Sequence, residues 1–219
     1  SANGTMTFTR PSDWALETLH QLQHYDVVQM FSVAQDLMPN HEPMQKHIGF
    51  AYSYLTGKIA REGYSNWHPG FAWAARRSAL DYLGGLIDYA ILGAADRHMA
   101  FALIGKLDST IPDKLRSGPY GKELREWQAR AEKHLKRNIG YVPGLILHNW
   151  HGKKRDRGYK DRWKILTDNC YNPDTDLKKD TQGLWQLTDR SRGLRDDIRA
   201  YFRSRNEDSI DVDPNEVRM

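Results

Sequence analysis

The sequence of 219 residues predicts an α/β fold in which helices flank a mixed sheet and a helical extension follows at the C-terminus. Short apolar runs at residues 25–32, 70–77 and 141–148 are typical of buried strands. Apolar residues recur at helical spacing within residues 121–138 and again after residue 153. Hydrophobic residues make up 39% of the chain and charged residues 27%, as in an ordinary globular domain.

Start signals and helix breakers predict the first elements. Residues 11–13, Pro-Ser-Asp, precede an amphipathic run and predict a capped helix start. Residues 36–68 contain two prolines and three glycines among aromatic residues, and they predict a long, partly ordered excursion. The next strand leads into a short helix over residues 78–83. The segment Gly93-Ala94-Ala95-Asp96 then opens a second helix, which Gly105 ends.

The last third of the chain predicts helices and a tail. In terms of domains, residues 6–152 form the α/β region, residues 153–206 a basic helical extension and residues 207–219 a flexible acidic tail. Residues 1–5 read as a cloning remnant ahead of Met6. Three helices are predicted in the extension, one with Tyr159, Trp163 and Leu166, one with Leu184 and Trp185, and one with Leu194, Ile198, Tyr201 and Phe202.

The cysteine content and the hydropathy pattern exclude several classes of protein. Cys170 is the single cysteine, so an internal disulfide and a cysteine-rich zinc module are both excluded. Any metal ion must therefore bind to His, Asp or Glu. No apolar run approaches the roughly 18 residues that a membrane helix requires. We expect a cytoplasmic protein.

The net charge of +4 is unevenly distributed along the chain. Residues 1–113 carry 8 Lys and Arg against 11 Asp and Glu, which gives −3, and residues 114–219 carry 24 against 17, which gives +7. This asymmetry is compatible with a polyanionic partner and equally with a small ligand that bears phosphate.

Two segments contain glycines and an acid that suggest a site. Glycines before an aromatic strand at Gly70 and after a helix at Gly84 and Gly85 indicate close approach of the backbone to a ligand, or tight packing at two turns. Asp96 stands where small residues lead into a helix, and the helix N-terminus stabilises its anionic form. Asp96 is then either the N-cap of that helix or a base.

A third segment combines histidines with basic residues. His148 and His151 lie at the end of an apolar strand, and seven Lys or Arg follow between residues 153 and 164. This pattern is compatible with a metal ligand beside cations that bind phosphate. It is equally compatible with a solvated basic loop in which one histidine is buried and hydrogen-bonded.

Taken in chain order, four motifs resemble the C-terminal half of glycosyltransferases with the A-type fold. The motifs are Gly-Phe-Ala-Trp-Ala-x-Arg-Arg, Leu-x-x-Leu-Gly-Gly-Leu-x-Asp, Gly-x-x-Asp-x-x-Met-Ala and His-x-x-His-Gly. They are similar to those of the galactosyltransferase and polypeptide N-acetylgalactosaminyltransferase groups, and the resemblance covers roughly residues 7–165. It implies a partial A-type sheet, a nucleotide-sugar donor, an acceptor hydroxyl and a divalent metal ion, Mn²⁺.

The resemblance also implies a role for each matching position. Ala95 stands where those families carry a glutamate that binds the acceptor. The aromatic ring of Trp73 is expected to lie in the core. The implied site consists of Asp96 as catalytic base, Trp67, His68, Gly84, Gly85 and Gly93 around the acceptor or sugar, Lys153, Lys154, Arg155 and Arg157 on the diphosphate, and His148 or His151 on the metal.

Members of those families carry a nucleotide-binding half that ends in an Asp-x-Asp motif. Here Asn3-Gly4-Thr5 stands at that place, before Phe8. The resemblance therefore implies that a second polypeptide supplies the missing half, or that the chain associates with itself, because an unpaired edge strand favours association.

Two other functions fit the same residues. One is a non-catalytic basic binding module for nucleic acid or another polyanion, built around residues 153–164 with Tyr159 and Trp163 between the charges. The other is an inactive glycosyltransferase-like structural subunit, with which Ala95 agrees.

Overall fold

The computed structural model describes residues 6–58, 67–159, 161–205 and 209–217. It confirms an α/β protein with mixed sheets flanked by helices. The strands are β1 (Met6–Arg10), β2 (Val27–Gln29), β3 (Val33–Leu37), β4 (Pro43–Gly49), β5 (Trp67–His68), β6 (Trp73–Ala75), β7 (Ile139–Tyr141), β8 (Leu145–His148), β9 (Leu177–Lys179) and β10 (Trp185–Leu187). The helices are α1 (Trp14–His24), α2 (Phe50–Leu55), α3 (Arg77–Leu83), α4 (Ala95–Leu103), α5 (Asp113–Arg116), α6 (Pro119–His134), α7 (Asp161–Asp168), α8 (Pro173–Asp176) and α9 (Arg192–Ser204), with 3₁₀ turns at Leu107–Thr110, Lys154–Arg157 and Pro214–Glu216.

The larger sheet has five strands in the order β1-β8-β3-β4-β5. Strands β3 and β8 are parallel, and β3 and β4 form an antiparallel hairpin. Residues 36–68, predicted to be a long, partly ordered excursion, instead contain the end of β3, all of β4 and α2, and β5, so this prediction is wrong wherever the structure describes it. Pro43 does not prevent the hairpin, because it is the first residue of β4, a position that tolerates proline. Residues 59–66 of that prediction, like the expected remnant at 1–5, lie outside the described residues.

The smaller sheet has three strands in the order β6-β2-β7. It includes the predicted strand at residues 25–32, of which residues 27–29 form β2 and are all buried. Gln29 on β2 is fully buried and fully hydrogen-bonded. Its amide nitrogen donates to the carbonyls of His68 and Gly70, and its amide oxygen accepts from the backbone of Ala51. These bonds fix the segment after β5 against the sheet.

The strand predicted over residues 141–148 is two strands in different sheets. Residues 142–144 separate β7 from β8 and carry the chain from the smaller sheet to the larger one. A side chain at Gly144 would collide with the backbone of Arg10, so glycine is required at this crossing. The crossing aligns β8 beside β3, and the carboxyl ends of the two parallel strands therefore lie at one edge of the sheet.

A single large core joins both parts of the chain. Leu166, Tyr171 and Leu194 of the predicted helical extension belong to the same buried cluster as the residues of α4 and α6. The helix predicted around Leu184 and Trp185 is wrong, because these residues belong to the hairpin of β9 and β10. Within the described residues, no helix is both long and apolar enough to cross a bilayer.

Candidate functional site

A buried carboxylate organises the edge where β3 and β8 end. Asp36 and His148 are register partners, and the His148 Nδ1 atom lies 2.8 Å from Asp36 Oδ1. His47 of β4 places its Nε2 atom 2.8 Å from Asp36 Oδ2, and the Lys154 ammonium is 2.7 Å from the same oxygen. The side chain of Asp36 is only 4% exposed, yet it accepts from three donors.

These contacts keep Asp36 ionised. Burial opposes its ionisation, but hydrogen bonds from His148 and His47 and the charge of Lys154 outweigh it and hold the pKa of Asp36 well below its usual range. Because a carboxylate only accepts hydrogen bonds, His148 donates its Nδ1 proton to Asp36. Asp36 therefore fixes the orientation of the His148 ring.

His148 and His151 face each other through their Nε2 atoms, which are 3.1 Å apart. Burial, followed by the charge of Arg157, lowers the pKa of His151 to about 4, so this ring is neutral at pH 7. The Nδ1 atom of His151 is buried and has no hydrogen-bond partner among the described residues. Of the two rings, His148 lines the large cavity described next, and His151 lies behind it in a small recess.

A cavity of about 630 Å³ opens beside this cluster, within the range of small-ligand sites. The structure brings Asp96 and His148 into its wall, although 52 residues separate them along the chain. Cationic side chains form much of the remaining polar wall. The cations that line the cavity are Arg97, Lys154, Arg157 and Arg162.

Asp96 is the second residue of α4 and is exposed to solvent. The N-cap position belongs to Ala94, whose φ of 68° lies in the left-handed region, so the N-cap interpretation of Asp96 is wrong. Its Oδ1 atom accepts from the backbone N–H of Arg97 at 2.8 Å. A β-carbon at Gly70 would lie 2.5 Å from Asp96 Oδ2, so glycine at this position leaves room for the carboxylate.

Arg157 and Arg162 differ from the other cations in their surroundings. The Arg157 guanidinium donates to the Tyr159 hydroxyl at 3.1 Å, and its Nε atom is buried with no partner among the described residues. Arg162 lies over the Tyr159 ring at 4.8 Å and packs so closely on Gly93 that a β-carbon there would come within 2.6 Å of it. Gly93, which was expected around the acceptor or sugar, is therefore in contact with an arginine.

The remaining predicted glycines, Gly84 and Gly85, do not line the cavity of about 630 Å³, which we call the basic cavity. Gly84 and Gly85 form the turn after α3, both with positive φ. The indole of Trp127 donates to the Gly85 carbonyl at 3.0 Å, and Arg130 donates to the carbonyl of Leu83 at 2.8 Å. These two bonds attach the turn to α6.

Trp67 and His68, which were expected around the acceptor or sugar, both line the cavity. Trp67 is 7% exposed and packs between Phe50 and Phe101, as a core residue does. His68 stacks on Phe71 at 4.1 Å and accepts at its Nδ1 atom from the backbone of Gly70. Burial, with a smaller contribution from the charge of His47, lowers the pKa of His68 to about 3, so the ring is neutral.

The basic segment, residues 153–157, contains the four side chains predicted to bind the diphosphate, and these divide into two pairs. Lys154 and Arg157 line the cavity, whereas the Lys153 ammonium lies 3.3 Å from Asp211 and the Arg155 guanidinium 3.7 Å from Asp213. The indole of Trp150 donates to the carbonyl of Ser209. Residues 209–217 of the predicted flexible tail therefore contact the outer side of the basic segment.

Sequence reasoning missed Asp36, His47 and Arg162. The signal for Asp36 was present, because Ala34 and Asp36 alternate with outward-facing residues and so place an acid on the buried face of a strand. Its partners come from β4, β8 and a 3₁₀ turn, and no local pattern links these elements.

The donor atoms of the two histidines fit part of a metal site. Two nitrogen ligands about 2.1 Å from a metal ion and at right angles to each other are about 3 Å apart, close to the separation of the two Nε2 atoms. Among the described residues, no group of three or more His, Cys, Asp or Glu is placed to hold a metal ion. The other coordination positions would therefore fall to ligand oxygens and water, which suit Mn²⁺.

No protein-family model, curated protein or solved structure matches this chain.

Proposed function

We propose that the protein is a glycosyltransferase of the A-type fold, which transfers a sugar from a nucleotide sugar to an acceptor hydroxyl. The observation that supports this proposal is that Asp96 shares a single cavity with His148 and four cationic side chains. A base opposite a cluster of cations is what nucleophilic displacement of a diphosphate requires.

The reaction would proceed by direct displacement. The acceptor oxygen forms a bond to the anomeric carbon while its proton passes to the Asp96 carboxylate. The bond between the anomeric carbon and the diphosphate oxygen breaks, and its electron pair leaves with the nucleoside diphosphate. Arg157 and Arg162, which line the cavity, stabilise the charge that develops on this leaving group.

A divalent metal ion belongs to the same proposal. His148 and His151 would hold it, and it would supply Lewis-acid stabilisation of the diphosphate. Asp36 contributes indirectly, because its hydrogen bond to Nδ1 holds the His148 ring with Nε2 turned toward His151.

Nucleotide binding tests the proposal directly. We expect UDP with Mn²⁺ to bind in isothermal titration calorimetry, and Arg157→Ala or Arg162→Ala to weaken it about tenfold or more, since each removes a charge-assisted hydrogen bond. Arg155→Ala is the matched control, because Arg155 belongs to the same basic segment but lies outside the cavity. No binding of UDP or GDP at millimolar concentration would refute the proposal.

The same variants separate this function from the polyanion-binding alternative. A polyanion module predicts that Arg155→Ala weakens binding of single-stranded RNA as much as Arg157→Ala does, with an affinity that falls steeply with salt. The pairing of Lys153 and Arg155 with Asp211 and Asp213 favours the cavity over the outer surface as the anion site.

A partner remains part of the proposal. Strand β1 is an edge of the five-stranded sheet, and α1 next to it exposes Trp14, Leu16 and Leu19. An edge strand beside an apolar helix surface favours association with a second polypeptide or a second copy. We expect sedimentation velocity to show self-association that Leu19→Glu reduces, and a monomer at all concentrations would restrict the proposal to a different polypeptide.

A further inference from the structure

A second cavity, of about 520 Å³, adjoins the basic one. The two cavities share Phe71 and Asp96, so the Asp96 carboxylate lies where they meet. Phe71 has a φ of 69° and Ala94, which lines the basic cavity, has a φ of 68°. Non-glycine residues in this strained region cluster at ligand sites.

The lining of the second cavity is almost entirely apolar. Strand β6 contributes Trp73 and two alanines, α3 contributes Leu80 and Leu83, and α4 contributes Met99 and Leu103. The charged groups in this lining are two carboxylates, Asp88 and Asp96. The lining is therefore the reverse of the basic cavity next to it, where cations predominate.

The walls are held in place by hydrogen bonds outside the cavity. The Trp73 indole donates to the carbonyl of Pro69 at 2.8 Å, and the Trp127 indole donates to Gly85. Because the turn at Gly84 and Gly85 is attached to α6, the adjoining Leu83 and Leu86 are fixed at the cavity wall. The cavity is preformed, as small-molecule sites usually are.

We propose that this apolar cavity binds the body of the acceptor and holds its hydroxyl against Asp96, so that the acceptor is an alcohol or glycoside with an apolar group of aromatic size. A fully hydroxylated sugar in this cavity would leave most of its hydroxyls without partners, which is costly. An apolar group there gains about 25 cal/mol for each Å² that it buries. The role of Asp96 in this inference rests on the proposed function.

Two small glycosides test the chemistry of the cavity. We expect phenyl β-D-glucoside to bind about tenfold more tightly than methyl β-D-glucoside, because the two differ in an apolar group of the size that the cavity admits. The binding can be located with ¹³C-methyl methionine, since Met99 lines the cavity and Met44 is buried in β4. We expect the Met99 methyl resonance to shift and that of Met44 to stay. Equal affinities, or an unshifted Met99, would overturn the inference.

A matched pair of substitutions at exposed leucines tests the cavity without disturbing the fold. Leu86 lines the cavity and is 62% exposed, and Leu184 on the β9–β10 hairpin is 61% exposed and lies outside it. Either leucine accepts a charge without loss of core packing. We expect Leu86→Glu to weaken phenyl β-D-glucoside about fivefold and Leu184→Glu to leave it unchanged. The same affinity in both variants would contradict the inference.

UDP binding distinguishes this inference from the proposed function. If phenyl β-D-glucoside binds at Met99 and UDP does not bind at all, the apolar site is supported and glycosyl transfer is refuted. If UDP binds and both glucosides bind equally, the proposed function stands and the acceptor class is wrong.

Discussion

Two carboxylates serve the candidate site in opposite ways. Asp36 is buried and accepts from His47, His148 and Lys154, whereas Asp96 is exposed and accepts from a single backbone N–H among the described residues. An acid whose lone pairs are occupied by fixed donors positions other groups but is poorly suited to take a proton. An acid with a free oxygen beside a cavity can take one. The surroundings of each carboxylate, and not the residue type, therefore decide which role it can take.

The strongest test of this comparison is Asp96→Asn. We expect transfer from a UDP sugar to phenyl β-D-glucoside to fall by about 10²–10⁴, the usual contribution of a general base, because the amide cannot accept the proton. UDP affinity and the free energy of unfolding should stay near the wild-type values, since Asp96 is exposed. Asp88→Asn, which changes the other acid of the apolar cavity, is the control, and an Asp96→Asn protein that turns over normally would remove Asp96 from the mechanism.

Asp36→Asn should mainly reduce the stability of the protein, whereas Asp96→Asn should mainly reduce transfer. Removing the charge takes away the anionic partner of the Lys154 ammonium and one of the two oxygens that accept from the histidines, so we expect a loss of about 3–5 kcal/mol in the free energy of unfolding. Urea denaturation measures this loss. If Asp36→Asn and Asp96→Asn were equally stable, the contrast between an anchoring and a reactive carboxylate would be wrong.

Gly70→Ala tests whether Asp96 needs the space that Gly70 leaves for its carboxylate. The added methyl group would lie 2.5 Å from Asp96 Oδ2 and 2.9 Å from the His68 ring, so we expect about 1–3 kcal/mol of destabilisation. Transfer activity should fall further than stability does, because the carboxylate is displaced. Gly118→Ala is the control, since its β-carbon would meet the Leu115 carbonyl at an ordinary 3.7 Å.

The smallest effect concerns pH and a buried histidine, His98, which stands two residues after Asp96 on α4. Burial, and then the charge of Arg97, lowers the pKa of His98 to about 3, and the ring is hydrogen-bonded to Thr110 and Tyr120. In the unfolded chain this histidine takes up a proton below about pH 6.5, whereas in the folded protein it does not until about pH 3. Stability is therefore lost as pH falls through this window, by about 1.4 kcal/mol for each pH unit.

His98→Gln should remove the contribution of this histidine to the pH dependence of stability. We expect the difference in unfolding free energy between pH 7.5 and pH 5.5 to decrease by about 1.4 kcal/mol relative to the wild type, as measured by urea denaturation at the two pH values. An unchanged pH dependence would show that His98 is protonated in the folded protein.

Local signals were enough to predict several elements. The breaks at Gly84-Gly85 and Gly105 and the helical stripe through Leu124 and Trp127 predicted α3, α4 and α6 close to their observed bounds. Each of these predictions depends on residues within a few turns of one another, and such patterns are visible in the sequence.

The predictions that failed concern features that depend on residues far apart in the sequence. The β3–β4 hairpin was hidden by Pro39 and Pro43, which fall in its turn and at the first residue of a strand. The change of sheet at Gly144 depends on the backbone of Arg10, which is 134 residues earlier. The same reason applies to the site, where His148 was named from its motif but its partner Asp36 was not.

Phe71 has a left-handed backbone, and its side chain lines both the basic cavity and the apolar cavity. Because this uncharged side chain lines both cavities, a change in its size would alter the two volumes together and leave both acids in place.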